Sequence, residues 1–178
     1  MAPTATYAVD RVPDNERSQR VVLVRVTIHS LGAIVPGGQL SQNHWTIELL
    51  LSDGCIRLDM SLYEFKSATD FRGLLRVIKL AYQLSQHHVM YFDFEVVGAK
   101  SVGHFMNNII TNARHRYNMT SNGVGCRHWI CTVIRDWQQA DLIMRKTSQG
   151  HDIEDYISYN WSHGQAPVPL EIKYGTFY

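Results

Sequence analysis

The chain has 178 residues, 45% of them apolar, and its 17 Lys and Arg nearly balance its 16 Asp and Glu. This length and apolar content suffice for one domain with a sizeable core, so the fold needs no disulfide or metal ion to hold it together. The balanced charge predicts neither a nucleic-acid binder nor a membrane-surface protein, since both usually carry a clustered basic excess.

Residues 1–18 are polar, contain two prolines and lack the apolar stretch of a signal peptide. They predict a flexible N-terminal segment, followed by a single α+β domain over residues 19–178. No apolar run approaches the length of a membrane span. The domain contains three cysteines without the spacing of a zinc site, which predicts reduced thiols in a cytoplasmic protein.

Alternation of β-branched and aromatic residues predicts strands at 19–30 and 89–97, while residues 72–85 fit a strand and a helix equally well. Ser101 is a suitable N-cap for a helix that runs to about Ala113. Residues 126–139 carry an apolar stripe at helical spacing, which predicts a helix that packs into the main core through Trp129, Ile130, Val133, Ile134 and Trp137.

Two alternating segments, 44–51 and 55–62, flank Asp53-Gly54, a strong signal for a two-residue hairpin turn. Pairing Ser52 with Cys55 puts the apolar residues of both strands on one face of the sheet. The same pairing makes Glu48 and Asp59 cross-strand neighbours. The polar face then holds His44, Thr46, Glu48, Arg57, Asp59 and Ser61.

Cys126 opens the predicted helix directly after Gly-Val-Gly. The free N–H groups of a first helical turn, together with the positive end of the helix dipole, favour a thiolate there. The alternative is a small core residue, because unpaired cysteine is among the most buried residue types.

A thiol nucleophile needs a neighbouring base, and that base needs an orienting partner. His44 at the start of the hairpin is the candidate base, and Asp59 or Arg57 on the same face is the candidate partner. The alternative for these charges is a solvated salt-bridge cluster. Trp45, Glu48, Gly125 and Trp129 are the candidate substrate-binding residues beside them.

The segments NHWTIELLLSDGCIRLDM and NGVGCRHWICTVI resemble the circularly permuted papain-like thiol enzymes, which include the lecithin:retinol acyltransferase group. In that family a His opens a strand of a hairpin and a Cys opens a downstream helix. The resemblance implies a permuted papain-like fold, an antiparallel sheet with a Cys-bearing helix packed against it. It also implies that His44 is the base and Cys126 the nucleophile.

The sequence departs from that family at two positions. Arg57 occupies the place of the family's second imidazole, with Asp59 two residues further on, and Gly125 replaces the Asn before the nucleophile. The whole chain also resembles a group of small fungal proteins that share an NHW strand, a GCR-aromatic-W helix and a GTFY-like end. No activity is known to carry over from that group.

The leading hypothesis is a cofactor-free hydrolase or acyltransferase that forms a thioester on Cys126 with an acyl, amide or ester small molecule. A cofactor-free cyclase or isomerase of a fungal secondary-metabolite pathway is the first alternative, and a non-catalytic binding protein is the second. No His, Cys and carboxylate residues have metal-ligand spacing, so we expect no metal. The sequence leaves the substrate and the oligomeric state open.

Overall fold

The computed structural model describes residues 5–36, 38–62, 70–121 and 124–178. The strands are β1 (Ala5–Tyr7), β2 (Leu23–Ala33), β3 (Ser41–Leu50), β4 (Cys55–Leu62), β5 (Gly73–Leu80), β6 (His88–Glu95), β7 (Tyr117–Asn118), β8 (Tyr159–Asn160), β9 (Val168–Pro169) and β10 (Thr176–Phe177). The α-helices are α1 (Asp14–Arg17), α2 (Val102–Thr111), α3 (Cys126–Gln139) and α4 (Glu154–Ile157).

Six strands form one antiparallel sheet in the order β1-β5-β4-β3-β2-β6. β2 to β5 follow one another as a meander, whereas β6 joins the free side of β2 and β1 closes the other edge. The Cys-bearing helix α3 packs against β3 and β4, and α2 packs against α3. The predicted α+β class, with an antiparallel sheet and a Cys-bearing helix on it, is therefore confirmed.

The β3–β4 hairpin exists, but its register differs from the predicted one. Leu50, not Ser52, pairs with Cys55, so the turn contains four residues instead of two. Leu51 leaves the strand and enters the main core, where it is 1% exposed, and its N–H bonds the carbonyl of Gly54. A shift of two residues preserves the alternation of faces, and it pairs Glu48 with Arg57 in place of Asp59.

The β3–β4 turn passes close to strand β5 at Gly54. Its φ is +157°, and a Cβ there would lie 2.2 Å from the carbonyl oxygen of Leu80 on β5. Only glycine allows the turn to approach the neighbouring strand this closely.

Within residues 72–85, which fit two structures in the sequence, Gly73–Leu80 forms strand β5. β5 pairs with β4 along its whole length and with β1 near its end. Pairing on both sides satisfies its backbone groups and decides between strand and helix.

Helix α3 has the predicted bounds and the predicted buried stripe. Trp129, Ile130, Val133, Ile134 and Trp137 are all at most 1% exposed. Trp137 meets Phe105 of α2 edge to face, with ring centroids 4.9 Å apart. The core prediction for this helix is confirmed, as is the Ser101 N-cap of α2, which forms a capping box with His104.

The N-terminal residues differ from the flexible segment predicted over 1–18; residues 1–4 of that segment lie outside the described residues. From Ala5 onward the chain packs on the domain: β1 pairs with β5, and Val9 and Val12 are each 5% exposed in the main core. Buried Glu16 forms an ion pair with Lys79 of β5. These few apolar residues are too sparse to stand out in a polar sequence, but they suffice to anchor it.

One face of the sheet is polar and largely buried. Cross-strand pairing sets His29 opposite His44, and Thr27 opposite Thr46. Glu48 and Thr46 are each only 1% exposed, and Asp59 is 7% exposed. Buried polar groups must find hydrogen-bond partners, so this face has to form networks within itself. Within the described ranges, no helix is long and apolar enough to cross a membrane.

Candidate active site

Cys126 is held by an unusual helix start. Gly125, the N-cap of the 14-residue helix α3, has φ +143°, a conformation that favours glycine. Its carbonyl accepts a hydrogen bond of 2.9 Å from the hydroxyl of buried Tyr117, which also accepts one from the N–H of Gly175. A Cβ on Gly125 would lie 3.0 Å from the Tyr117 oxygen. The positive φ and the close approach of the Tyr117 hydroxyl both favour a residue without a side chain. This explains why a glycine directly precedes Cys126.

His44 on β3 connects Cys126 to a carboxylate. Its Nε2 is 2.9 Å from Oδ1 of Asp59 on β4. Because Asp59 engages Nε2, the ring nitrogen left for proton exchange with the Cys126 thiol is Nδ1. The second carboxylate oxygen of Asp59 accepts a hydrogen bond of 2.9 Å from Arg76 on β5. We call Cys126, His44, Asp59 and Arg76 the Cys126 cluster.

The charges of this cluster stabilise one another. Burial lowers the pKa of His44, but the hydrogen bonds to Asp59 and to Cys126 outweigh it and raise the pKa to about 10. Burial raises the pKa of Asp59, whereas its hydrogen bond to His44 and the charge of Arg76 lower it, with a net shift below the usual range. An imidazolium beside a carboxylate is therefore the form present near neutral pH.

Arg57 and Glu48 belong to a neighbouring network, contrary to the roles predicted for them. Arg57 Nε donates to Glu48 Oε1 at 2.9 Å instead of orienting His44. Thr27 and Thr46 donate to the same carboxylate at 2.5 and 2.7 Å, and His29 Nε2 lies 2.8 Å from the Thr46 hydroxyl. We call these five residues the Glu48 cluster. The two-residue shift of register is the cause, because it brings Glu48 opposite Arg57.

Glu48 is ionised despite being buried. Burial raises the pKa of Glu48, but the nearby His29, whose Nε2 lies 3.8 Å from Oε1, and the charge of Arg57 bring it below its usual range. Both of its oxygens accept hydrogen bonds inside the network and the residue is 1% exposed, so Glu48 is a structural carboxylate and not the substrate-binding residue that was predicted.

The other two cysteines have different surroundings. Burial raises the pKa of Cys55 to about 12 and that of Cys131 to about 11. Cys131 Sγ also donates to Glu154 at 3.6 Å. Both are therefore thiols near neutral pH, and of the three cysteines Cys126 is the one that has an imidazole partner.

A cavity of about 350 Å³ opens at the start of α3. Gly125, Cys126 and Trp45 line it, so three of the residues singled out in the sequence meet there. Trp129 does not line it: this side chain is fully buried in the core, and its Nε1 donates to the carbonyl of Arg114 at 2.7 Å. Trp129 therefore has the core position predicted from its helical spacing, and not the substrate-binding role predicted for it.

Several residues of the site were missed in the sequence. Asn43 exchanges two hydrogen bonds of 2.7 Å with the backbone of Trp161, and so ties β3 to β8 at the edge of the cavity. Arg127, directly after Cys126, donates to carbonyls of residues 157, 170 and 171. Arg76 supports Asp59 from β5. In the sequence, the only signal for Asn43 and Arg127 is that they lie next to His44 and Cys126. Nothing in the sequence around Arg76 indicates its role.

The described part of the chain contains no group of three or more His, Cys, Asp or Glu placed to hold a metal ion. The side chains that could carry chemistry are Cys126 at a helix start, His44, whose pKa Cys126 helps to raise, and Asp59, which binds His44.

Fold and site together define an α+β protein with a Cys–His–Asp arrangement beside a small cavity. Residues 24–178 match the model of a family described as "Domain of unknown function (DUF7770)", and the chain belongs to that family. No curated protein and no solved structure matches the chain. The resemblance to permuted papain-like enzymes therefore stays a prediction.

Proposed function

We propose that the protein is a cofactor-free thiol hydrolase or acyltransferase that acts on an acyl, amide or ester small molecule through Cys126. The observation that carries this proposal is the position of His44, whose Nε2 is held by Asp59 at 2.9 Å and whose pKa is raised in part by the Cys126 side chain. A nucleophile, a base within hydrogen-bond reach and a group that orients the base are the parts that thiol acyl transfer requires.

In the first half of the reaction, the Cys126 thiolate attacks the carbonyl carbon of the substrate and a carbon–sulfur bond forms. The negative charge moves to the carbonyl oxygen, where the free N–H groups of the first turn of α3 can hold it. Protonated His44 then gives its Nδ1 proton to the leaving amine or alcohol. The bond to the leaving group breaks, and a thioester remains on Cys126.

In the second half, neutral His44 takes a proton from water or from an acceptor alcohol or amine. The resulting nucleophile attacks the thioester, the carbon–sulfur bond breaks, and Cys126 returns to the thiolate beside protonated His44. Asp59 stays ionised throughout and holds the imidazole ring in place. Water as acceptor makes the protein a hydrolase, and any other acceptor makes it a transferase.

Selective alkylation tests the nucleophile. An ordinary thiol is less than about 1% thiolate at pH 6, so iodoacetamide at this pH should modify Cys126 and leave Cys55 and Cys131 unmodified. Peptide mapping by mass spectrometry reads the adducts. Equal modification of the three cysteines, or none, would contradict the proposal.

A covalent intermediate tests the reaction itself. Brief incubation with a 4-nitrophenyl ester should add the mass of one acyl group to the wild-type protein and none to Cys126→Ala, with Cys131→Ala as the matched control on the same helix. Hydroxylamine should remove the group, as it does with thioesters.

The cyclase or isomerase alternative retains one supporting observation. Trp45 and Leu170 give the cavity an apolar surface, and the His44–Asp59 pair, which does not line it but lies next to Trp45 in the chain, could move protons without a nucleophile. A cyclase of this kind would keep its activity in Cys126→Ala, which a thiol enzyme would not.

A reducing compartment such as the cytoplasm suits the thiol reaction, because the nucleophile has to remain unoxidised.

A further inference from the structure

The guanidinium of Arg127 carries a positive charge at the wall of the cavity, one residue after the nucleophile. Its Nη1 donates to the carbonyls of Ile157 and Leu170 at 2.7 and 2.8 Å, and its Nη2 donates to the carbonyl of Glu171. An arginine has five N–H donors. Two of them, the Nε–H and one Nη2–H, have no partner within the described residues.

The three partners of Arg127 are neutral carbonyls, so they orient its charge without cancelling it. Arg127 has no ion pair with a carboxylate of the described residues, unlike Arg25, Arg57 and Arg76 of the sheet. Burial lowers the pKa of Arg127, and the side chain that opposes this effect is Cys126. A half-buried cation without an anion is a costly arrangement that a bound anion would relieve.

The other charges around the cavity do not supply that anion. Glu171 and Lys173 also line it, but they form an ion pair with each other and are more than half exposed, so their charges cancel at the rim. The positive end of the α3 dipole adds to the positive potential beside Cys126. The thiolate of Cys126 is balanced by protonated His44, so the charge of Arg127 leaves the cavity with one uncompensated positive charge.

We propose that the cavity binds an acyl compound that carries a carboxylate away from its reacting carbonyl, and that Arg127 holds this carboxylate. The proposal rests on the thiol function proposed above. One carboxylate matches the single spare charge, whereas a phosphate monoester would bring almost two negative charges. The planar guanidinium, anchored by three carbonyls, presents its remaining donors in a fixed direction, as recognition of a carboxylate requires.

Protection of Cys126 from alkylation tests this with two matched ligands. Monomethyl glutarate and dimethyl glutarate have the same carbon skeleton, and only the first has a carboxylate. In the wild-type protein, monomethyl glutarate should slow the alkylation of Cys126 by iodoacetamide at a concentration at least about ten-fold lower than dimethyl glutarate does. This comparison needs no variant and so does not depend on how a substitution affects folding.

Variants then assign the effect to one side chain. Arg127→Met should abolish the difference between the two ligands, and Arg127→Lys should retain part of it. Arg135→Met is the matched control, because Arg135 lies on the same helix but pairs with Glu154 outside the cavity. It should keep the full difference.

The outcomes separate this proposal from the one on which it rests. Selective alkylation of Cys126 with equal protection by both ligands, or with none, overturns the carboxylate inference and leaves the thiol function intact. Failure of iodoacetamide to modify Cys126 selectively overturns the thiol function itself. Retention of the ligand difference in Arg127→Met would assign the carboxylate to another residue and also overturn the inference.

Discussion

Two histidines face each other as cross-strand neighbours, His29 on β2 and His44 on β3. Each has an acid nearby: Glu48 Oε1 lies 3.8 Å from His29 Nε2, and Asp59 Oδ1 lies 2.9 Å from His44 Nε2. Each acid also binds an arginine, Arg57 in one case and Arg76 in the other. The two clusters thus contain nearly the same side chains on one face of one sheet.

The clusters differ in what lies beyond the histidine. In the Glu48 cluster the polar groups bond one another and the carboxylate is 1% exposed, so the network holds the sheet together. In the Cys126 cluster the chain of contacts ends at a thiol that opens a helix and lines a cavity. A histidine and an acid do not make a site by themselves; access to a reactive atom and to a cavity does.

Replacing each histidine in turn is the strongest way to break this comparison. His44→Asn should slow the alkylation of Cys126 at pH 6 by up to about 10²-fold, because the base that favours the thiolate is removed and an ordinary thiol is less than about 1% thiolate at this pH. His29→Asn is the matched control and should leave the rate almost unchanged. The rate constants follow from the time course of the Cys126 adduct by mass spectrometry. Equal slowing by both substitutions would show that the two clusters act as one.

Replacing each acid should give the opposite ranking for stability. Glu48→Ala leaves Arg57 without its anion inside the protein and should lower the free energy of unfolding by about 3–5 kcal/mol. Asp59→Ala should cost less, because the side chain of its partner Arg76 is 45% exposed and can be hydrated. Urea unfolding measures both. A larger cost for Asp59→Ala would mean that the Cys126 cluster is the structural one.

The helix start can be tested through the tyrosine beneath it. Tyr117→Phe leaves the N–H of Gly175 without its partner and removes one of the two hydrogen bonds to the carbonyl of Gly125, which should cost about 1–3 kcal/mol of unfolding free energy. We also expect slower alkylation of Cys126, since the turn before it loosens.

Tyr156→Phe is the control for this experiment, because its hydroxyl contacts Thr147 at 3.3 Å, away from the helix start. It should leave the alkylation rate unchanged. If Tyr117→Phe is destabilised but its alkylation rate is normal, the tyrosine supports the fold and not the position of the nucleophile.

The pH dependence of stability sharpens the contrast further. The pKa of His44 in the folded protein, about 10, exceeds its ordinary value of 6.5, so the folded state binds the proton more tightly. The stabilisation is complete below about pH 6.5 and is lost as pH rises through about 10. The difference in unfolding free energy between wild type and His44→Asn should therefore shrink by up to about 1.4 kcal/mol per pH unit over this range. A difference that is constant or grows with pH would contradict the raised pKa.

Much of the local structure follows from the sequence because it depends on near neighbours. The bounds of α3, its buried stripe and the N-cap of α2 come from helical spacing and capping residues. Cys126 and His44 were singled out by a helix start and a strand start, and the structure brings both to one place. Alternation along β3 and β4 also placed Asp59 correctly on the face of His44.

What the sequence could not decide depends on contacts between distant segments. A register shift of two residues leaves the alternation unchanged, so the pattern alone could not tell that Arg57 pairs with Glu48 and that Asp59 is free to bind His44. Arg76 reaches Asp59 only because β5 lies beside β4, and β5 itself was ambiguous until it was paired on both sides. The cavity wall formed by Arg127 and Leu170 joins residues 43 positions apart in the chain. The periodicity of side chains indicates which face of a strand or helix a residue occupies. Its partner across the sheet or the cavity depends on packing and charge between distant segments, which only the folded chain brings together.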